Sequence, residues 1–148
     1  RGNQIAFVAG AASMDYIRSH GLHSRAAVLG QRLISKLHQL REKHPCVGEV
    51  RGRGLMVGME VTNPTSLPAQ QEKKLNGTLA ASIKREAFSR GLIIETGGRH
   101  SAVLRFLPPL TITEREIDQI ASILDDAIHA ALKLEANDWK DGNETVLG

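Results

Sequence analysis

The sequence predicts an α+β fold, a small antiparallel sheet with helices packed on it. Three observations point that way. Apolar residues recur at helical spacing in four segments. They alternate with period two around residues 55–61. Glycines and prolines punctuate the boundaries between these segments. The resulting order is helix, helix, hairpin, helix, strand, strand, helix, which suits one sheet covered by helices.

Residues 3–20 carry Ile5, Val8, Ala9, Ala12 and Tyr16 at helical spacing, with small residues filling much of the remainder. So many small side chains predict a close, large neighbour. Gly21 is a suitable stop. The second helix lines up Leu22, Ala26, Leu29, Leu33, Leu37 and Leu40, opposite Arg25, Arg32, Lys36 and Arg41, and Pro45 ends it. In VGEVRGRGLMVGMEV the period changes. Leu55, Val57, Met59 and Val61 alternate with Met56, Gly58 and Glu60, and the glycines of RGRG suit a hairpin reversal. Gly58 inside a strand predicts a close neighbour. TNPTSLPAQ reads as a surface loop.

A third helix is predicted over residues 69–90, with Leu75, Leu79, Ile83 and Ala87 inward and Gly91 as its cap. LIIE at 92–95 reads as a short buried strand, TGGRH at 96–100 as a flexible loop, and AVLRFL at 102–107 as a strand stopped by Pro108 and Pro109. Thr113 and Glu116 have capping-box spacing. A last helix follows through Ile117, Ile120, Ala121, Leu124, Ile128, Ala131 and Leu132. The final stretch, 135–148, is acidic and reads as irregular.

Composition bounds the function. At 148 residues, 41% hydrophobic and 24% charged, the chain can bury a core without staples. The formal charge is only +3, and aromatics are 3%. Neither a phosphate-tracking basic surface nor a base-stacking platform is built from this, which argues against nucleic acid. One cysteine excludes an internal disulfide and a multi-cysteine zinc site. No apolar run spans a bilayer and no secretory signal opens the chain, so a cytoplasmic protein with no membrane partner is expected. The chain opens on Arg1 within a helical pattern, and a fragment lacking an N-terminal domain is expected.

Arg105 carries the most chemical information. Alternation places it on the face of Val103 and Leu107, within the apolar run VLRFLPPL. A guanidinium among apolar neighbours needs an anion, and its fork suits a carboxylate or phosphate. A bound ligand and an internal carboxylate both satisfy that requirement. Arg99, in GGRH, is a second candidate anion contact, or an ordinary solvated loop residue. His20 and His23 lack a third ligand, so no metal site is expected. Cys46 reads as a packing residue. The seven lysines mostly fall on polar helix faces, and none looks desolvated enough to form a Schiff base.

RGNQIAFVAGAA, VRGRGLMVGMEV and RGLIIETGGRHSAVLRFLPPLTIT, in that order, resemble the C-terminal part of a class III, fold-type I aminotransferase. Within the family, GGRH followed by RFLPPL looks most like the diaminobutyrate–2-oxoglutarate aminotransferases. The resemblance implies pyridoxal phosphate as cofactor, amino-acid and 2-oxo-acid substrates, and a homodimer. The reaction implied moves the terminal amino group of L-2,4-diaminobutyrate to 2-oxoglutarate, giving aspartate 4-semialdehyde and glutamate. It matches Arg105 to the arginine that binds the substrate α-carboxylate. It matches Gly2 and Asn3 to the residues opening the inter-domain helix beside the cofactor. The Schiff-base lysine of the family lies upstream of this segment, so no catalytic residue is assigned here and the chain alone is expected to be inactive. Residues 1–20 then form the inter-domain helix, 21–134 the small domain and 135–148 the tail.

Other readings remain: an ω-aminotransferase for ornithine, acetylornithine or 4-aminobutyrate, a non-catalytic module binding a small anion, or an oligomerisation domain built on the small-residue helix.

Overall fold

The computed structural model describes residues 2–64 and 74–144, with side chains through residue 135. Helix α1, Gln4–Ser19, is capped by Asn3, whose side-chain oxygen accepts from the amides of Ile5 (3.1 Å) and Ala6 (3.3 Å). None of its residues is buried. Gly21 then turns the chain in the left-handed conformation, at φ +57°, into α2, Leu22–Lys43. The sheet begins with β1, Val47–Arg53, and β2, Met56–Val61. It continues after α3, Gly77–Ser89, with β3, Glu95–Gly97, and β4, Val103–Phe106. A short 3-10 turn, Arg99–Ser101, joins the last two strands. The final helix, α4, spans Glu114–Glu144.

The sheet order is β1-β2-β4-β3 and every pairing is antiparallel, as the sequence predicts. One sheet face carries Val57, Met59, Val61, Leu104 and Phe106, all buried. Against it pack Leu33 and Leu37 of α2, Leu79 and Ile83 of α3, and Ile117, Leu124 and Ile128 of α4, none with any exposure. Fully burying a side chain of this kind stabilises the fold by about 1.5–3 kcal/mol. Helix α2 approaches the hairpin so closely that the Gly54 backbone occupies the place where a Cβ on Gly30 would stand. Arg32 joins α2 to α4 through Asp118 (2.7 Å) and Glu114 (3.1 Å), and Arg25 donates to the Ile112 carbonyl (2.7 Å). The predicted capping box closes the start of α4. The Glu116 carboxylate accepts from the Thr113 amide at 2.7 Å, and Glu116 N–H donates to the Thr113 hydroxyl at 3.2 Å. The Thr113 amide, with the Thr113 hydroxyl that donates to the same oxygen, holds the Glu116 carboxyl below its ordinary value.

Four local expectations change. The third helix starts at Gly77, after an Asn76 cap that accepts from the Leu79 amide (2.8 Å). Leu75 instead bridges Thr62, because the cap side chain ends the extended segment. Ala69 and most of the expected loop lie outside the described residues. LIIE is not the strand; pairing begins at Glu95. Gly91, at φ +85°, closes α3 in a Schellman motif, with the Leu92 amide donating to the Ala87 carbonyl (2.9 Å). The chain then drops Ile94 into the core and leaves Ile93 78% exposed before the ladder starts. TGGRH is divided between β3 and the 3-10 turn. The expected irregular tail is helical as far as Glu144.

Candidate functional site

The site is built on the sheet face opposite the core, which no described helix covers. Antiparallel register sets Arg51 of β1, Gly58 of β2, Arg105 of β4 and Glu95 of β3 in one cross-strand row. Alternation along β4 sends Leu104 and Phe106 into the core and Arg105 to the open face. The expectation that apolar neighbours surround the guanidinium is therefore corrected: Arg105 is exposed, because its sequence neighbours point the other way. Nor does an internal carboxylate hold it. Among the described residues the Arg105 side chain makes no hydrogen bond or ion pair.

The other arginine of the row differs. Arg51 is bound to Glu60 at 2.7 Å and to Glu49 at 2.8 Å, and the bond to Glu60 raises its pKa further. Arg51 is thus neutralised within the sheet, and Arg105 keeps its charge for something outside. Glycines clear its surroundings. Gly58 lies directly opposite on one side, and Gly97 leaves the space that the Arg105 stem crosses. Arg105 lines a mainly apolar hollow of about 410 Å³ with Ile93, Glu95, Leu107, Pro108 and Pro109. A free guanidinium there can take a carboxylate through two parallel hydrogen bonds.

Arg99 lies on the 3-10 turn and is also exposed. It lines a different and wider depression of about 1260 Å³ with Glu49, Glu60, Thr62, Lys74 and Gly77. The structure does not bring it into one hollow with Arg105. Its turn is tightly set: His100 and Ser101 have φ of +57° and +55°, and the His100 carbonyl fills the position of a Gly77 side chain. Gly2 is exposed, and the oxygen of Asn3 is engaged in capping α1. Among the described residues no lysine is buried, and Lys36 and Lys43 are ion-paired to Asp118 and Asp125. No described cluster of His, Cys, Asp or Glu could hold a metal ion. No helix among the described residues is long and apolar enough to cross a membrane.

Sequence reasoning missed Glu95. It sits beside Arg105 on the neighbouring strand and lines the same hollow. A carboxylate closing the apolar run LIIE was the available signal.

The chain is similar to known proteins. A diaminobutyrate–2-oxoglutarate aminotransferase from Rhizobium meliloti (strain 1021) is 45% identical over 125 residues, covering 84% of this chain and 27% of that protein. One from Haemophilus influenzae is 34% identical over 140 residues, covering 90% of this chain and 30% of that protein. Among solved structures, the omega transaminase from Pseudomonas jessenii in complex with PMP superposes with a TM-score of 0.66. It is 29% identical, over 81% of this chain and 25% of that one. The chain therefore spans under a third of the length of these relatives. The family described as aminotransferase class-III matches residues 1–128, and the chain belongs to it.

Proposed function

We propose that this chain is the part of a class III aminotransferase that holds the carboxylate end of the substrates. The enzyme would move the terminal amino group of L-2,4-diaminobutyrate to 2-oxoglutarate, leaving aspartate 4-semialdehyde and glutamate. The observation that carries the reading is the unpaired Arg105 guanidinium on the uncovered sheet face. The choice of amino donor rests on the names of the two relatives. 2-Oxoglutarate and the glutamate formed from it carry an α-carboxylate beside the reacting carbon, so one arginine can hold both members of that half of the exchange. Arg99 is a second anion contact at the neighbouring turn.

Pyridoxal phosphate, when bound, supplies the electron sink for this chemistry. The described residues do not by themselves form its cradle, since no described lysine is desolvated and Asn3 is committed to a helix cap. Gly2 and Asn3 lie beside the cofactor only through their place at the start of α1. That helix, with Ile5 80% and Phe7 71% exposed, is the inter-domain connection and packs on the rest of a homodimeric enzyme. The chain alone is inactive in this reading. Borohydride treatment of the chain with pyridoxal phosphate leaves no stoichiometric adduct at any one lysine; finding one defeats the claim.

The direct test is Arg105→Lys in the full-length transaminase. Lysine keeps the charge and loses the fork. A charged hydrogen bond is worth about 1.5–3 kcal/mol, so KM should rise about tenfold or more for 2-oxoglutarate. Folding should be unaffected, because the Arg105 side chain has no partner among the described residues. Unchanged KM for 2-oxoglutarate would falsify the role.

A further inference from the structure

Two acids stand within one register step of Arg105 on the open face. Glu95 is directly across from it in the β3–β4 ladder, and Glu60, the partner of Val103, is one diagonal step away on β2. Residues directly opposite have Cβ atoms about 4.5–5.5 Å apart, and diagonal neighbours at about 7–8 Å are still within reach of a long side chain. Either acid could therefore neutralise the guanidinium. Glu60 is taken, because Arg51 binds it at 2.7 Å. Glu116, at the far edge of the hollow, is held by Thr113. Glu95 is not taken. It is exposed, and among the described residues its side chain makes no hydrogen bond or ion pair. Arg105 thus leaves its nearest opposite charge unused.

The course of the Arg105 side chain explains why. Gly97 pairs with Val103, so it is the diagonal neighbour of Arg105 on β3. A Cβ on Gly97 would collide with Cδ of Arg105 and lie close to Cγ and Nη1. The side chain therefore runs over bare backbone toward residue 97, away from residue 95. Same-face positions on one strand are about 6.5–7 Å apart, enough to part the two charges. Any side chain at position 97 closes that path. Arginine is flexible and gives way, and the one free charge on the side left to it is Glu95. Gly58 offers no side chain, and Ile93 and Leu107 are apolar.

We propose that Gly97 is a positioning residue that keeps the Arg105 guanidinium unpaired by holding its stem off Glu95. The inference rests on the function proposed above, in which Arg105 holds the α-carboxylate of 2-oxoglutarate and of the glutamate formed from it. A ligand carboxylate must displace any internal partner before it can bind. With the stem on Gly97 there is none to displace, although one stands on the same strand. Glu95 competes for the guanidinium only when residue 97 carries a side chain.

The test is a double-mutant cycle in the full-length transaminase, with Gly97→Ala, Glu95→Gln and the two together. The backbone of Gly97 is not left-handed, so alanine fits the strand. Gly97→Ala should raise KM for 2-oxoglutarate about threefold to fivefold, the upper range for an exposed ion pair formed in competition. With Glu95→Gln added, KM should return to within about twofold of that in Glu95→Gln alone. KM for L-2,4-diaminobutyrate should not follow, since this donor has no carboxylate beside its reacting carbon. A structural glycine behaves differently: it lowers the thermal midpoint and affects both substrates, and Glu95→Gln reverses neither. That result overturns the proposal, and so does an unchanged KM in Gly97→Ala. Arg105→Lys tells the two readings apart. If KM for 2-oxoglutarate is unaltered there, the function proposed for Arg105 has failed. If it rises while the cycle shows no coupling, only the role of Gly97 is lost.

Discussion

The stem of Arg105 lies across Gly97. A Cβ on Gly97 would stand 2.9 Å from Cδ of Arg105 and 3.6 Å from Nη1. The absence of a side chain on one strand thus sets the course of the guanidinium on the next. In the full-length enzyme, Gly97→Val should displace the fork and raise KM for 2-oxoglutarate about tenfold or more, as small misplacements of a binding group do. The thermal midpoint should hold, because valine suits a strand and this face is open. A melt beside steady-state kinetics separates the two effects, and unaltered KM would show that the stem needs no such path.

Gly30→Ala should destabilise the chain although alanine is the better helix former. The methyl would collide with the backbone of Gly54, which sits in a tight turn at φ +56° and has no rotamer to change. Overpacking of this kind costs about 1–3 kcal/mol, against about 1 kcal/mol gained in helix propensity. A net loss near 1 kcal/mol is expected as a lower urea midpoint with the same slope. A rise in the midpoint would mean that α2 can move off the hairpin.

Acid should loosen the seam between α2 and α4. The Asp125 carboxyl is held below its ordinary value of 3.8, first by the Lys43 ammonium and then by His44, whose Nε2 is 2.6 Å away. The Asp118 carboxyl is lowered too, chiefly by Arg32. A depressed folded pKa means that the unfolded chain binds protons first. The stabilisation is therefore complete above the ordinary carboxylate value and is lost as pH falls through 3.8 toward the lowered folded value. Urea unfolding at successive pH values should show stability declining over this range, with a shallower decline in Asp125→Asn. Equal slopes in the two proteins would remove Asp125 from the account.

The sequence made some of this legible and hid the rest, for physical reasons. The hairpin was readable because Leu55, Val57, Met59 and Val61 all face one core, so period two survives in the letters. The capping box of Thr113 and Glu116 was readable because it is local. The start of α3 was not. A charged, helix-favouring run precedes Asn76, and only tertiary pairing of Leu75 with Thr62 shows that the chain is still extended there. The position of β3 was hidden because Ile93 is apolar yet exposed. Arg105 was found for its chemistry, but its surroundings were misjudged. Leu104 and Phe106 flank it in sequence and occupy the opposite side of the sheet. The pairing of Glu95 with Arg105 was hidden because register, a non-local property, makes them neighbours.

The pleat of β4 separates two duties that adjoin along the chain. Leu104 and Phe106 answer to the interior, while Arg105 answers only to what arrives from outside. Substitutions at every second position can therefore retune what the domain recognises without disturbing how it holds together. A lineage could exchange one customer for another here while its scaffold stayed the same.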